Sequence, residues 1–225
     1  IDGYEFAWRS LAAKSIGGDY LDFLRSDLGD LCAVVADASG HGINSALLMT
    51  SFRATYRGSA PWQDPHELAA LLNGHVTHEV GPTGMFITAA LVYLDLARRR
   101  LAITSAGHNP CFLLRGATGE VETIESHGPA LGFVAGAHYA QFETALEPTD
   151  VLLLYTDGIT EATAPDGQMF GETRLLQLLR EHADAGAEVV LERVLAALRA
   201  FTGRERQDDD VSLLVLRATG ERAST

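Results

Sequence analysis

Cysteine and long apolar runs are scarce in this sequence of 225 residues. The two cysteines, Cys32 and Cys111, each lie in an apolar run and share no metal-ligand spacing, so we expect buried, reduced thiols rather than a disulfide framework. No segment approaches the roughly 18 apolar residues that a membrane span needs, and no signal peptide is evident. These absences predict a cytoplasmic domain that makes no contact with a membrane.

Positive charge is also scarce. The chain has 17 Lys and Arg residues against 30 Asp and Glu residues, which gives a formal net charge of −13. Such an acidic chain should repel nucleic acid and anionic membrane surfaces, so we expect neither as a partner. Carboxylates that share one cleft repel each other, and a divalent cation relieves that repulsion. Bound metal is therefore expected to neutralise part of the charge.

The chain shows no internal repeat and no low-complexity linker. Its length fits one large domain, which we place at residues 1–218, with a frayed tail at residues 219–225. Between residues 85 and 146, strand patterns follow one another through short turns, and no helix pattern intervenes. This excludes a parallel sheet built from βαβ units and favours antiparallel sheets.

Four segments have the apolar spacing of amphipathic helices, namely residues 43–58, 64–80, 172–182 and 187–201. The four segments form two pairs along the chain. Strand patterns come before the first pair, between the two pairs and after the second pair. This order predicts an α+β fold in which two mainly antiparallel sheets pack together and are flanked by helix pairs.

Aspartate recurs where apolar strand patterns end or begin. Asp37 follows the run in LCAVVADASGHG, Asp157 follows the run in LLLYTDGITEAT, and Asp19 lies in GGDY. The last apolar run, in RQDDDVSLLVLR, is preceded by Asp208, Asp209 and Asp210. A single aspartate of this kind is most often a turn residue. The repetition instead favours one shared site, where the adjacent glycines would let the backbone approach an ion or a phosphate.

Carboxylate and water oxygens are the ligands that hard divalent cations such as Mg²⁺ and Mn²⁺ prefer. Two such ions about 3.5–4 Å apart can activate a water molecule and stabilise the leaving oxygen in phosphoryl transfer. The aspartates lie far apart in the sequence, so only folding can bring them together. The pattern therefore indicates a metal site for phosphoryl chemistry.

The chain resembles the metal-dependent serine/threonine protein phosphatases (PPM, protein phosphatase 2C-like), and it is most similar to their bacterial SpoIIE/RsbU branch. The resemblance rests on stretches that occur in the family's order within residues 3–217: GGDYLDF, DASGHGINSALLM, MFITAALVYLDL, AGHNP, LLLYTDGITEA, FGETRL and DDDVSLLVLR. It implies an α-β-β-α sandwich, two Mn²⁺ or Mg²⁺ ions, and hydrolysis of phosphoserine or phosphothreonine.

Carried over by position, the resemblance implies a set of metal ligands. Asp37 would bridge both ions, and the backbone carbonyl of Ala38 would bind one of them. Asp19 would hold one ion partly through water, and Asp157 and Asp209 would hold the other. Asp209 is chosen among its neighbours because DDVS matches the family's Asp-Asp/Asn-x-Thr/Ser pattern. The residues expected to flank these ligands are Gly18, Gly158, Asp208 and Asp210.

The resemblance implies direct attack on phosphorus by a metal-activated water, without a phosphoenzyme. His41 is a candidate general acid for the leaving serine oxygen, because a histidine titrates near neutral pH. The alternative for His41 is an ordinary loop residue. His108 in AGHNP matches a family motif, and the role expected for it is a structural one in a turn.

Other interpretations of these motifs fit less well. GGDY is similar to part of the GGDEF cyclase signature, but Tyr20 and Leu21 follow where Glu-Phe is needed. LLLYTDG is similar to a haloacid-dehalogenase motif, but Ile159 stands where the second aspartate is needed. His75 and His78 have a helical metal-ligand spacing without an evident third ligand, which favours a solvated helix face. A degenerate phosphatase domain that only binds or senses a partner is the non-enzyme alternative.

The resemblance also implies partners. The chain would be the catalytic output domain of a longer bacterial signalling protein, with an upstream sensor or receiver domain in the same chain. Its substrate would be a small phosphoprotein, a STAS-type anti-sigma-factor antagonist that dephosphorylation releases to bind its anti-sigma factor. A homodimer, with regulation through the helices after Asp37, is a further expectation that nothing in the spacing establishes.

Overall fold

The computed structural model describes residues 2–13, 16–26, 29–40, 42–60 and 63–220. Within these residues the chain forms ten β-strands and five α-helices. The strands are β1 (Tyr4–Leu11), β2 (Asp19–Arg25), β3 (Leu31–Ala38), β4 (Ile87–Asp95), β5 (Arg100–Ala106), β6 (Cys111–Leu114), β7 (Val121–Ile124), β8 (Phe142–Ala145), β9 (Val151–Tyr155) and β10 (Val211–Ala218). The helices are α1 (Ile43–Ser59), α2 (Pro65–Val80), α3 (Asp157–Thr160), α4 (Gly171–His182) and α5 (Ala187–Thr202). The chain divides into two compact units, and each contains one sheet.

The first unit comprises residues 2–13, 111–124 and 146–220. Its sheet is antiparallel, with the strand order β1-β10-β9-β6-β7. Alternate residues of β9 and β10, such as Leu153 and Leu213, share a core with the apolar residues of α4 and α5. The alternation follows from the strand geometry, which points successive side chains to opposite faces.

Helices α4 and α5 pack on this sheet because each carries an apolar stripe. Leu175 and Leu179 lie one turn apart in α4, and Val190 and Val194 lie one turn apart in α5. All four side chains are fully buried, and such burial contributes about 1.5–3 kcal/mol for each side chain relative to exposure. The backbone N–H of Ala187, at the start of α5, donates a 3.0 Å hydrogen bond to a carboxylate oxygen of Glu5, which fixes the helix end against β1.

The second unit comprises the described residues between 16 and 110 and residues 125–145. Its sheet is antiparallel, with the strand order β2-β3-β4-β5-β8. Helices α1 and α2 pack on one face, where Phe52 and Leu72 join Ala36 and Ala38 of β3 in a single core. Pro65 opens α2, a position that suits proline because the first turn of a helix needs no N–H donor.

Most predictions about the fold are confirmed. The fold class is α+β with two antiparallel sheets, no helix lies between residues 87 and 145, and the four predicted helices are present. Helix α1 continues past Gly58 and ends at Ser59. Cys32 and Cys111 are buried free thiols. None of the helices in the described part of the chain is long and apolar enough to cross a membrane. The predicted turn residue Asp27 and most of the predicted tail, from residue 221 onward, lie outside the described residues.

Asp150 joins the turn before β9 to the end of β6. Asp150 is 1% exposed, and its carboxylate accepts hydrogen bonds from the Arg115 guanidinium at 2.7 Å, the Gly116 N–H at 3.0 Å and the Glu147 N–H at 3.1 Å. We expect Asp150→Ala to lower the free energy of unfolding by about 3 kcal/mol, because Arg115 loses its buried carboxylate partner and two backbone N–H groups lose their acceptor. Urea denaturation measures the change.

The matched control is Glu122→Ala, which removes the more exposed carboxylate that contacts Arg115 at 2.6 Å. This change should cost less than about 1 kcal/mol, because a half-exposed ion pair is screened by solvent. Equal losses in the two variants would contradict the structural role given to Asp150.

Candidate functional site

A row of polar side chains crosses the sheet of the second unit. Asp19 begins β2 and lies directly opposite Asp37 of β3, and Asp37 lies directly opposite Thr88 of β4. All three are partly exposed, whereas the residues on either side of Asp37 and Thr88 along their strands are buried. Because Ala36 and Ala38 face the helices, the row lies on the opposite face of the sheet. The register thus brings Asp19 and Asp37 together, as the sequence predicts.

Gly18 shows where the oxygen atoms of this row point. A Cβ atom placed on Gly18 would lie 3.0 Å from the carbonyl oxygen of Ala38 and 3.3 Å from Oδ1 of Asp37. The Ala38 N–H donates to the Gly18 carbonyl at 3.2 Å, which holds the two segments close together. A carbonyl oxygen and a carboxylate oxygen therefore face the same space beside Gly18, and hard divalent cations prefer this combination of ligands.

The segment after β3 is tied to the start of β4. The Ser39 N–H donates to the carbonyl of Phe86 at 2.9 Å, and the Phe86 N–H donates to Oγ of Ser39 at 2.9 Å. Helix α1 begins at Ile43, after Gly42 with a positive φ of 87°. The candidate general acid His41 lies outside the described residues, so its role stays a prediction.

A second acidic cluster lies in the first unit. Asp157 is the first residue of α3, and Glu161 follows this short helix. Burial raises the pKa of the Asp157 carboxyl, and the negative charges of Glu161 and Asp209 raise it further. Glu161 and Asp209 thus disfavour the ionised form of Asp157 in the protein alone, and a cation bound beside Asp157 would reverse this effect.

The three consecutive aspartates before β10 have different environments. Asp208 pairs with the guanidinium of Arg204, and Oδ1 of Asp210 accepts a 2.7 Å hydrogen bond from the Ala13 N–H. Asp209 is the member whose charge acts on Asp157, and its Oδ1 accepts only the N–H of its neighbour Asp210, at 2.9 Å, among the hydrogen bonds of the described residues. The arrangement supports the choice of Asp209 as a ligand, with its two neighbours in supporting positions.

A small cavity opens beside these residues. Its volume is about 140 Å³, and its lining includes Gly158, Glu161, Arg204 and Asp209. The cavity is large enough for hydrated ions or a phosphoryl group, since one water molecule occupies about 30 Å³ of liquid. It carries more acidic than basic side chains, which favours a cation.

The backbone fixes the position of Asp157. The Thr156 N–H donates to the Ser212 carbonyl at 3.0 Å, and the Ser212 N–H donates to Oγ1 of Thr156 at 2.8 Å. A Cβ atom on Gly158 would lie 1.9 Å from the carbonyl oxygen of Asp210. Only glycine allows this approach, and the approach sets Asp157 beside the segment that contains Asp209.

The donor chemistry of both clusters fits Mn²⁺ or Mg²⁺, because each offers carboxylate oxygens and the first also offers the Ala38 carbonyl. Across the described residues, no group of three or more His, Cys, Asp and Glu side chains is arranged to hold a metal ion. The fit therefore rests on the donor types and on the space beside Gly18.

A family model described as Stage II sporulation protein E (SpoIIE) matches residues 27–219. The chain belongs to the SpoIIE family. Phosphoserine phosphatase RsbU of Bacillus subtilis is 29% identical over 209 residues, which cover 92% of this chain and 61% of RsbU. The chain spans between 36% and 61% of the length of the first curated relatives that it matches.

Solved structures share the fold. The SiaA-PP2C domain of Pseudomonas aeruginosa has a TM-score of 0.82 at 25% identity, and the match covers 96% of this chain and 85% of that one. The RsbU and RsbW domains of Rv1364c from Mycobacterium tuberculosis have a TM-score of 0.83 at 23% identity, covering 99% of this chain and 63% of that one. The predicted family is confirmed, and membership leaves no place for the GGDEF or haloacid-dehalogenase interpretations.

Three features of the chain differ from the prediction or were not predicted. The sequence predicts Asp157 at the end of a strand, but β9 ends at Tyr155 and Asp157 begins a helical turn, closed by a 2.8 Å hydrogen bond from the Glu161 N–H to the Asp157 carbonyl. Glu161 was not predicted, although its spacing of four residues from Asp157 is the signal of a shared helix face. Oγ of Ser51 bonds Nε2 of His75 at 2.8 Å, so this histidine links α2 to α1.

We expect Gly158→Ala to lower the free energy of unfolding by about 3 kcal/mol, because the added methyl group overlaps the carbonyl of Asp210 and forces the backbone apart. The matched control is Gly74→Ala in α2, where nothing lies within 4 Å of the added atom. That control should raise stability by up to about 1 kcal/mol. Chemical denaturation compares the two, and an unchanged stability in Gly158→Ala would contradict the close approach.

The raised pKa of Asp157 predicts the effect of Asp157→Asn in metal-free protein. A carboxyl whose pKa is higher in the folded state favours folding while protonated, and this contribution is lost as pH rises through the folded-state pKa. At about pH 7 the neutral amide should therefore make the protein as stable as wild type or more stable. The advantage should disappear near pH 4, the ordinary pKa of aspartate.

Urea denaturation in EDTA at both pH values tests this expectation. Asp208→Asn is the control, because Asp208 is exposed and paired with Arg204, and it should show no such gain. A clear loss of stability in metal-free Asp157→Asn at pH 7 would show that the carboxylate has a purely structural role.

Proposed function

We propose that the domain is a metal-dependent serine/threonine protein phosphatase that hydrolyses phosphoserine or phosphothreonine on a regulatory protein. The observation that carries the proposal is the convergence of Asp37 Oδ1 and the Ala38 carbonyl on the space beside Gly18, with Asp19 directly opposite, in a SpoIIE-family chain. The name of its relative RsbU, a phosphoserine phosphatase, supports the substrate class.

The proposed cofactors are two Mn²⁺ or Mg²⁺ ions. Asp19, Asp37 and the Ala38 carbonyl are the ligands proposed from the second unit, and Asp157 and Asp209 are those from the first. When bound, the ions would supply a nucleophilic water and neutralise charge on the phosphoryl oxygens. Asp37 is proposed to contact both ions, as the family resemblance implies.

The chain's own residues have separable tasks in this proposal. The carboxylates bind and orient, and Gly18 and Gly158 keep the backbone close enough for oxygen atoms to converge. His41 is proposed to protonate the leaving serine oxygen, in keeping with the ordinary pKa of histidine. Asp208 and Asp210 hold the segment around Asp209 through Arg204 and Ala13.

The proposed substrate is a phosphorylated STAS-type anti-sigma-factor antagonist, which the domain would release to bind its anti-sigma factor. Support comes from similarity to RsbU and from Rv1364c, whose RsbU and RsbW domains were solved as one structure. An upstream sensor or receiver domain in the same chain, a homodimer and a cytoplasmic location belong to the same proposal. They rest on the family resemblance.

Hydrolysis of p-nitrophenyl phosphate, with and without Mn²⁺, tests the activity. Wild type should turn over only with the metal, and Asp157→Asn should lose about 100-fold or more, because a ligand is missing. Asp208→Asn is the matched control. It removes a carboxylate from the same acidic segment as Asp209, but Asp208 is exposed and paired with Arg204. Its activity should stay within a few-fold of wild type.

Wild-type turnover in Asp157→Asn would remove Asp157 from the ligand set. Absence of turnover with any divalent ion, in folded protein that binds Mn²⁺, would favour the non-enzyme alternative, a domain that binds or senses a partner.

A further inference from the structure

Thr88 occupies an unusual position in the polar row. It is partly exposed between the buried residues Ile87 and Ala89, and it lies directly opposite Asp37 across the β3–β4 ladder. Residues in such a pair have Cβ atoms about 4.5–5.5 Å apart on the same face of the sheet. The hydroxyl of Thr88 and the carboxylate of Asp37 are therefore cross-strand neighbours on the same face of the sheet.

Oγ1 of Thr88 is bonded to a buried histidine. Nδ1 of His108 lies 2.8 Å from this oxygen, and His108 is 5% exposed. A histidine so placed fixes the orientation of the hydroxyl, which otherwise rotates to suit its neighbours. If Nδ1–H donates to Oγ1, the hydroxyl proton of Thr88 is left for another acceptor, and Asp37 is the carboxylate opposite.

The loop that carries His108 is rigidly held. The Gly107 N–H donates to the Gly128 carbonyl at 2.9 Å and to Oγ of Ser126 at 2.8 Å. Gly107 has a positive φ of 64°, and a Cβ atom there would lie 2.6 Å from the backbone nitrogen of Ala130. These backbone contacts therefore fix the position of His108 for its hydrogen bond to Thr88.

We propose that Thr88 and His108 are positioning residues that orient the Asp37 carboxylate for the divalent cation. His108 donates through Nδ1–H to Thr88, and Thr88 donates to Asp37. His108, in the AGHNP motif, would then orient a metal ligand in addition to its structural role in a turn. The inference rests on the proposed function for its place in catalysis, but its direct consequence is metal affinity, which is measured without turnover.

Calorimetric titration with Mn²⁺ alone tests the proposal. Thr88→Val keeps the shape of the side chain and removes the hydroxyl. We expect Mn²⁺ binding to weaken about 10-fold, because a metal ligand loses the hydrogen bond that orients it. The melting temperature of the metal-free protein should change little. Thr88→Ser keeps the hydroxyl and should restore affinity to within about threefold of wild type. In turnover assays, the Mn²⁺ concentration for half-maximal activity should rise in Thr88→Val, while the KM for p-nitrophenyl phosphate at saturating Mn²⁺ stays near that of wild type.

His108→Leu completes a double-mutant cycle. Because the two residues act as one unit, Thr88→Val combined with His108→Leu should weaken Mn²⁺ binding no more than the larger single change, instead of multiplying the two. Should Thr88→Val fail to fold, His108→Leu decides the question by the same affinity measurement.

Three results would overturn the inference: wild-type affinity in folded Thr88→Val or His108→Leu, equal weakening in Thr88→Ser and Thr88→Val, or independent effects in the double variant. A wild-type domain that binds no Mn²⁺ would overturn both the inference and the proposed function. Weakened binding in the variants, in a domain that hydrolyses no phosphate ester, would support the inference and contradict the proposed function.

Discussion

The close approach of acidic side chains is the constraint on which the candidate site depends. Burial and the charges of Glu161 and Asp209 raise the pKa of Asp157, so its ionised form is less favourable than that of an ordinary aspartate. In the other unit Asp19 and Asp37 lie directly opposite each other, a pairing that is destabilising for like charges. Binding of a divalent cation to the folded state would compensate such costs, because any ligand that binds only the folded state stabilises it.

Close approach of backbone segments determines where these carboxylates lie. The Asp210 carbonyl occupies the place that a side chain on residue 158 would need, and the Ala38 carbonyl lies close to Gly18, 3.0 Å from where its Cβ would be. Both contacts join segments that are far apart in the sequence or separated by a hairpin. The ladder between β2 and β3 sets the positions of Asp19 and Asp37, and the backbone contacts of residues 156 and 158 with residues 210–212 set the position of Asp157. Such contacts suit a site that must hold ligands to within a fraction of an ångström.

The sequence predicts those parts of the fold that depend on local pattern. The helix periodicity finds α1, α2, α4 and α5 because each is long enough to repeat its apolar stripe. Asp19 and Asp37 are predictable as a pair because β2 and β3 form a hairpin, in which residues equally distant from the turn lie opposite each other. Tertiary contacts were not needed for either inference.

The remainder of the site depends on contacts that no local pattern encodes. Helix α3 has four residues, too few to show periodicity, so the sequence places Asp157 at a strand end and does not single out its neighbour Glu161. The run Asp208–Asp210 is uniform in sequence, and only Arg204 and Ala13 distinguish its members. Thr88 is the most informative case. A polar, partly exposed residue between buried ones costs packing that an apolar residue would supply, so its presence beside Asp37 indicates a task for the hydroxyl. That signal exists only once the register places the two residues on one face.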